Sequence, residues 1–158
     1  MSRLASWRPI GHASPAMPLS ATERHFIDRQ RIGHLATADK SGAPHVVPVC
    51  FGLLEDRLYI TIDRKPKRDR AQPLKRLSNI AGNPQAAIVF DRYDEDWRRL
   101  AWVMLRGRAE ILTTGLEHGQ AQALLQSRYK QLAAMQLEGL PVIAVQIERV
   151  ASWGDLGP

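Results

Sequence analysis

The stretch Ile32-Gly33-His34-Leu35-Ala36-Thr37-Ala38, then Asp39-Lys40-Ser41-Gly42, then His45-Val46-Val47-Pro48-Val49-Cys50-Phe51, decides the fold class. Both flanks are apolar and β-branched and the residues between them are turn formers, so the stretch predicts a hairpin of two strands. Leu53 to Asp56 reads as another turn. Arg57-Leu58-Tyr59-Ile60-Thr61-Ile62 then alternates with a period of two, as a half-buried third strand does. Connections this short leave no room for the crossover helices of a doubly wound parallel sheet, so three antiparallel strands are expected in sequence.

Outward from this core, Leu19 to Gln30 reads as a short helix: Ser20 is an N-cap type, Glu23 completes a capping-box spacing, and Phe26 and Ile27 supply the apolar stripe. Downstream, Leu74, Leu77, Ile80 and Ala81 recur at helical spacing up to Asn83-Pro84. Gln85 to Phe90 is a fourth strand and Leu100 to Leu112 a fifth, with Gly107 marking a bulge or bend. Thr114 to Leu137 looks helical, and Pro141 to Val150 is a sixth strand. The expectation is a mainly β chain with peripheral helices (α+β), six antiparallel strands forming a closed or split β-barrel, since closure protects strand edges.

The chain has 158 residues, 44% of them hydrophobic and 24% charged, which fits one globular domain and not disorder. Residues 1–18 hold Pro9, Pro15 and Pro18 without an apolar core behind a basic head, and read as a mobile or partner-clasping arm before a domain at 19–153 and a tail at 154–158. The single cysteine, Cys50, allows no disulfide within the chain, which favours a cytoplasmic setting. The longest apolar stretch, Val46 to Leu54, contains Pro48 and Gly52 and is far short of the roughly 20 residues that cross a bilayer, so no membrane partner is expected.

Charge is the strongest chemical signal. Twenty-two basic against 16 acidic residues leave a net +6, and between Asp63 and Arg76 alone seven positive charges stand against Asp63 and Asp69. The excess is therefore local, and it runs into the N-terminus of the helix near Leu74, where side-chain charge and helix dipole add to attract a phosphate. Next in weight is Val46-Val47-Pro48-Val49: a proline inside a strand removes a ladder donor and belongs at an edge, leaving backbone groups free for a flat polar ring system. His34, His45 and His118 lack the spacing of a metal site, and no metal is assigned. Gly-x-Ser-x-Gly and the Gly-rich phosphate loops are absent, so neither acyl-transfer hydrolysis nor the common nucleotide folds find support. A nucleic-acid role would call for aromatic residues among the positive charges, and Asp63 to Arg76 has none. Trp97, Trp102 and Trp153 are candidates for a subunit interface.

Taken in order, Ile32-Gly33-His34-Leu35-Ala36-Thr37, Ser41-Gly42-Ala43-Pro44-His45-Val46-Val47-Pro48-Val49, Leu58-Tyr59-Ile60-Thr61 and Leu74-Lys75-Arg76-Leu77-Ser78-Asn79-Ile80-Ala81-Gly82-Asn83-Pro84 resemble the pyridoxamine 5'-phosphate oxidase-like flavin and deazaflavin oxidoreductases. Lys65-Pro66-Lys67-Arg68, the Asp91 to Trp97 loop, Gly107-Arg108-Ala109 and Pro141 to Val145 are similar to the branch that uses the deazaflavin coenzyme F-420. The resemblance implies a split β-barrel of the FMN-binding type, a homodimer, and F-420 or FMN in a groove between subunits transferring hydride to a small-molecule acceptor. It implies Val46, Val47, Pro48 and Val49 beside the ring system, Thr61 and Asp63 near the ribityl and phosphate end, and Lys65, Lys67, Arg68 and Lys75 around the phosphate. No catalytic dyad is implied, because the cofactor carries the hydride chemistry. The ending Ser152 to Pro158 lacks the substrate-phosphate motif of the pyridoxamine phosphate oxidases themselves.

Overall fold

The computed structural model describes residues 19–62 and 74–158. The expected N-terminal arm and most of the basic segment lie outside the described residues. Helix α1 (Ala21–Arg29) starts with the capping box read from the sequence, Ser20 accepting from the Glu23 amide and Glu23 reaching back to the Ser20 amide. Strands β1 (Gly33–Ala38) and β2 (Pro44–Val49) then form the expected hairpin. Its turn is held by Asp39, whose Oδ1 accepts the amides of Ser41 and Ala43 at 2.9 and 3.0 Å, while Gly42 takes the positive φ of 87° that closes it.

The segment read as a turn after Cys50 contains a strand instead. Strand β3 (Gly52–Leu54) pairs with β4 (Arg57–Thr61) across the two-residue turn Glu55-Asp56. The sheet therefore has seven strands, not six, in the order β2-β1-β5-β6-β7-β4-β3, where β5 is Gln85–Arg92, β6 Ala101–Leu112 and β7 Val142–Gly154. The third strand of the sequence reading, β4, accordingly neighbours β3 and β7 and not the first hairpin. Edge strands β2 and β3 are separated in the chain only by Cys50 and Phe51. The sheet curls so that its two edges meet at that link and part elsewhere, which gives a half-barrel with a split.

Helix α2 (Lys75–Gly82) stops one end of the barrel with Leu74, Leu77 and Ile80, and its Asn79 donates to Thr37 Oγ1 of β1 at 3.1 Å. Inside lie Phe26, Leu35, Phe51, Ile60, Phe90 and Leu105, all 0 or 1% exposed, each contributing about 1.5–3 kcal/mol by burial. Phe51 and Phe90 are tilted against each other with centroids 4.6 Å apart.

The expected late helix is divided into α3 (Leu116–Arg128) and α4 (Lys130–Ala133). Tyr129 breaks it, in extended conformation, because its hydroxyl reaches back to the barrel seam. Beyond α4, the chain up to Leu140 has little regular structure of its own, and α3 satisfies part of its backbone. His118 Nε2 stands 2.8 Å from Leu140 O, and Gln122 and Gln126 donate to the carbonyls of Leu137 and Met135 at 3.1 Å each. A bulge falls at Arg106/Gly107, as Gly107 indicated. Strand β7 runs to Gly154, past the Val150 expected, and the tail is pinned by Arg92, which donates to Asp155 O at 2.6 Å and Gly157 O at 3.1 Å.

Candidate functional site

Alternation sorts the residues of β2. Val47 and Val49 point inward and pack in the barrel, whereas Pro44, Val46 and Pro48 face out, with Val46 64% exposed. Only Val46 and Pro48 of the four ring-side residues can thus offer side chains to an outside ligand; Val47 and Val49 can offer backbone. One edge of β2 pairs with β1, and the other pairs with no strand among the described residues, where Pro48 contributes a carbonyl but no N–H.

The outer face continues from β2 across four more strands in register. Val46 stands opposite Ala36, Ala36 opposite Ala87, Ala87 opposite Arg106, and Arg106 opposite Arg149. The next row runs Pro48, His34, Val89, Met104, Ala151, and the row beyond it ends Asp91, Trp102, Trp153. Small and apolar side chains make this a shallow shelf, interrupted by His34, whose Nδ1 lies 3.8 Å from Asp91 Oδ1, and bounded on β6 and β7 by Arg106 and Arg149. Trp153 is 41% exposed and Trp97, on the short 3₁₀ turn Trp97–Arg99, is 73% exposed. Sequence reasoning missed the shelf residues Ala36, Ala87, Val89 and Met104. The available signal was the unbroken apolar run Ala86 to Phe90, since a strand apolar on both faces is one whose outer face is covered.

Thr61 ends β4 on the face shared with Tyr59, away from the barrel interior that holds Leu58, Ile60 and Ile62. Its Oγ1 is buried and has no hydrogen-bond partner among the described residues, a polar atom in want of one, at the threshold of the basic segment. Asp63, Lys65, Lys67 and Arg68 lie outside the described residues. On the far side of that segment, α2 begins at Leu74 with no side-chain cap, leaving its first amides to other acceptors. Lys75 is already engaged: its Nζ lies 3.7 Å from Asp39 Oδ2. The Asp39 carboxyl is held below its ordinary range, first by the Ser41 hydroxyl and then by the Ala43 amide, with Lys75 adding to the effect. An anion at the α2 N-terminus would therefore share Lys75 with Asp39.

These features fit a flavin-type cofactor in three respects: an unpaired strand edge beside an apolar shelf for a ring, an orphaned hydroxyl for a polyol chain, and an uncapped helix start for a phosphate. Among the described residues no three His, Cys, Asp or Glu side chains gather as a metal would need, and no helix is long and apolar enough to cross a membrane.

Known proteins match this arrangement. The 5a,11a-dehydrotetracycline/5a,11a-dehydrooxytetracycline reductase of Streptomyces rimosus subsp. rimosus is 35% identical over 100 residues, 63% of this chain and 68% of the reductase. An FAD-binding protein from Mesorhizobium loti superposes with a TM-score of 0.62 at 24% identity, over 87% of this chain and 96% of that one. The heme storage protein of Vibrio cholerae gives 0.64 at 18% identity, over 87% and 95%; at such identities the likeness speaks for fold alone. The family pattern described as pyridoxamine 5'-phosphate oxidase matches residues 19–154. With sequence pattern and half-barrel in agreement, the chain belongs to the pyridoxamine 5'-phosphate oxidase-like family of flavin oxidoreductases.

Proposed function

We propose that this protein is an oxidoreductase that binds FMN or the deazaflavin coenzyme F-420 between two copies of the chain and transfers hydride to a small organic acceptor. The observation that carries this reading is the outer shelf beginning at Val46 and Pro48, formed by Ala36, Ala87, Val89 and Met104 across β1, β5 and β6, next to a strand edge that pairs with no strand among the described residues. Exposed apolar surface on that scale calls for a partner, and a planar ring covered by a second subunit would bury it. The reductase relative supports the activity class. Trp97, Trp102 and Trp153 belong to the same interface in this reading.

Val46 to Val49 hold the ring, Thr61 and Asp63 the ribityl chain, and Lys65, Lys67, Arg68 and Lys75 the phosphate. When bound, the cofactor supplies the hydride chemistry; the chain's own residues position it, set the electrostatics and exclude water. The concentration of positive charge from Arg64 to Arg76 favours the deazaflavin, whose tail carries more negative charge than that of FMN.

Anaerobic fluorescence titration with each cofactor, and with hemin as competitor, tests the reading. Saturable binding of one flavin, weakened about tenfold or more by Lys67→Ala or Arg68→Ala, is the expected result. Equal affinity in wild type and both variants would remove the basic segment from the binding site, and preference for hemin would replace the cofactor. Binding without turnover across a range of acceptors would leave a cofactor-sequestering protein.

A further inference from the structure

Arg106 of β6 and Arg149 of β7 stand directly opposite each other on the outer face. Like charges in opposed register destabilise a sheet pair, and neither side chain has an ion pair or hydrogen bond among the described residues. Arg108, beyond the bulge, likewise has no ion pair or hydrogen bond among the described residues. All three line a groove of about 690 Å³ floored by Ala36, Ala38 and Ala87. The opposing charge in the groove is Glu148, the residue that β7 inserts at the irregularity, and it pairs with none of them. Asn83, at the rim, is occupied by Asp39 O and the Gln85 amide.

The arrangement is built in and not a loose surface run. A Cβ on Gly107 would lie 1.8 Å from the Gln146 carbonyl oxygen, so only glycine fits, and the bulge it permits sets the register of Arg106 against Arg149. The floor of alanines keeps the groove shallow and leaves the guanidinium groups as its walls. Counting strand spacings of about 4.8 Å, Arg106 is about 14 Å from Val46 along the same row.

We propose that the Arg106/Arg108/Arg149 groove is an anion-binding site for a small molecule bearing phosphate or clustered carboxylate groups. Two facing guanidinium groups can each grip an oxyanion in bidentate fashion, and the bound charge removes the repulsion that the empty register carries. The site goes beyond the redox reading: it takes the β6 and β7 end of the row whose β2 end, at Val46, that reading gives to the cofactor ring.

Its test uses the full chain, ¹⁵N-labelled, titrated with pyrophosphate and separately with citrate at ionic strength held constant with sodium chloride. Either probe should shift the amides of Ala87, Gly107 and Arg149 saturably. Arg149→Gln and Arg106→Gln should each weaken that binding about tenfold or more, whereas Lys75→Gln should leave it unchanged. Both variants change half-exposed side chains and should fold; Arg108→Gln, at an exposed position, is the third arm. Shifts no greater than those from sodium chloride, or undiminished affinity in the arginine variants, would overturn the proposal. So would protection of these amides by a second copy, revealed as arginine-dependent sedimentation without pyrophosphate or citrate binding. Flavin binding is not read in this experiment, so failure here and failure of the redox reading are distinguishable.

Discussion

The hydroxyl of Tyr129 accepts the backbone N–H of Phe51 at 3.1 Å and donates to the carbonyl of Arg31 at 3.0 Å. Phe51 lies in the two-residue link that joins the sheet's edge strands, so one phenol fixes the seam at which the half-barrel comes together. Arg31 and Arg128 stack on this seam, with guanidinium carbons 4.5 Å from the Tyr129 centroid and 4.8 Å from that of Phe51.

Tyr129→Phe should therefore cost about 1–3 kcal/mol, because it orphans a buried N–H while leaving the ring in place. Urea unfolding should show a lower midpoint with unchanged m. An unaltered midpoint would mean that the seam is held by packing alone.

Gly107→Ala should be among the most damaging single changes in the chain. The new methyl meets the Gln146 carbonyl oxygen, a backbone atom that cannot swing aside, and forced overpacking of this kind costs about 1–3 kcal/mol or more. Thermal unfolding is the check; a melting temperature equal to wild type would show that the bulge at Arg106/Gly107 can be rebuilt without glycine.

Tyr59 gives stability a dependence on alkaline pH. It is buried, and its hydroxyl donates to Glu117 at 2.8 Å. Burial first, then this hydrogen bond and the Glu117 charge, push its pKa up from 10.0 to about 12. The folded state thus keeps a proton that the unfolded chain loses near pH 10, so the contribution is complete below that pH and is lost as pH climbs towards 12. Unfolding free energies measured from about pH 9 to about pH 11.5 should fall less steeply for Tyr59→Phe than for wild type; equal slopes would assign the decline to other groups.

Much of the fold was legible because local chemistry and tertiary role agree. Ser20 and Glu23 cap α1, Asp39 and Gly42 turn the first hairpin, and Gly107 marks the bulge at which β7 carries one residue more than β6. Strand β3 escaped because three residues are too few to show alternation, and because its turn, Glu55-Asp56, lacks the Asn-Gly or Asp-Gly signature; Glu55 instead takes a φ of 53° unaided by glycine. The break at Tyr129 was invisible because it depends on a contact 78 residues away in sequence. Of the candidate site, the exposure of Val46 and Pro48 followed from a proline in an edge strand. The facing of Arg106 and Arg149 could not be read, since a one-residue change in register between distant strands would have separated them.

The claim that matters most is that the shelf beginning at Val46 is where the cofactor ring and a second subunit meet. Sedimentation velocity, monitored at protein and flavin wavelengths together, tests it on wild type and Val46→Arg. Wild type should carry flavin absorbance in a species of twice the chain mass, while Val46→Arg should sediment as a folded monomer that has lost most of its flavin. Flavin travelling with a wild-type monomer, or a variant that dimerises and binds as wild type does, would contradict it.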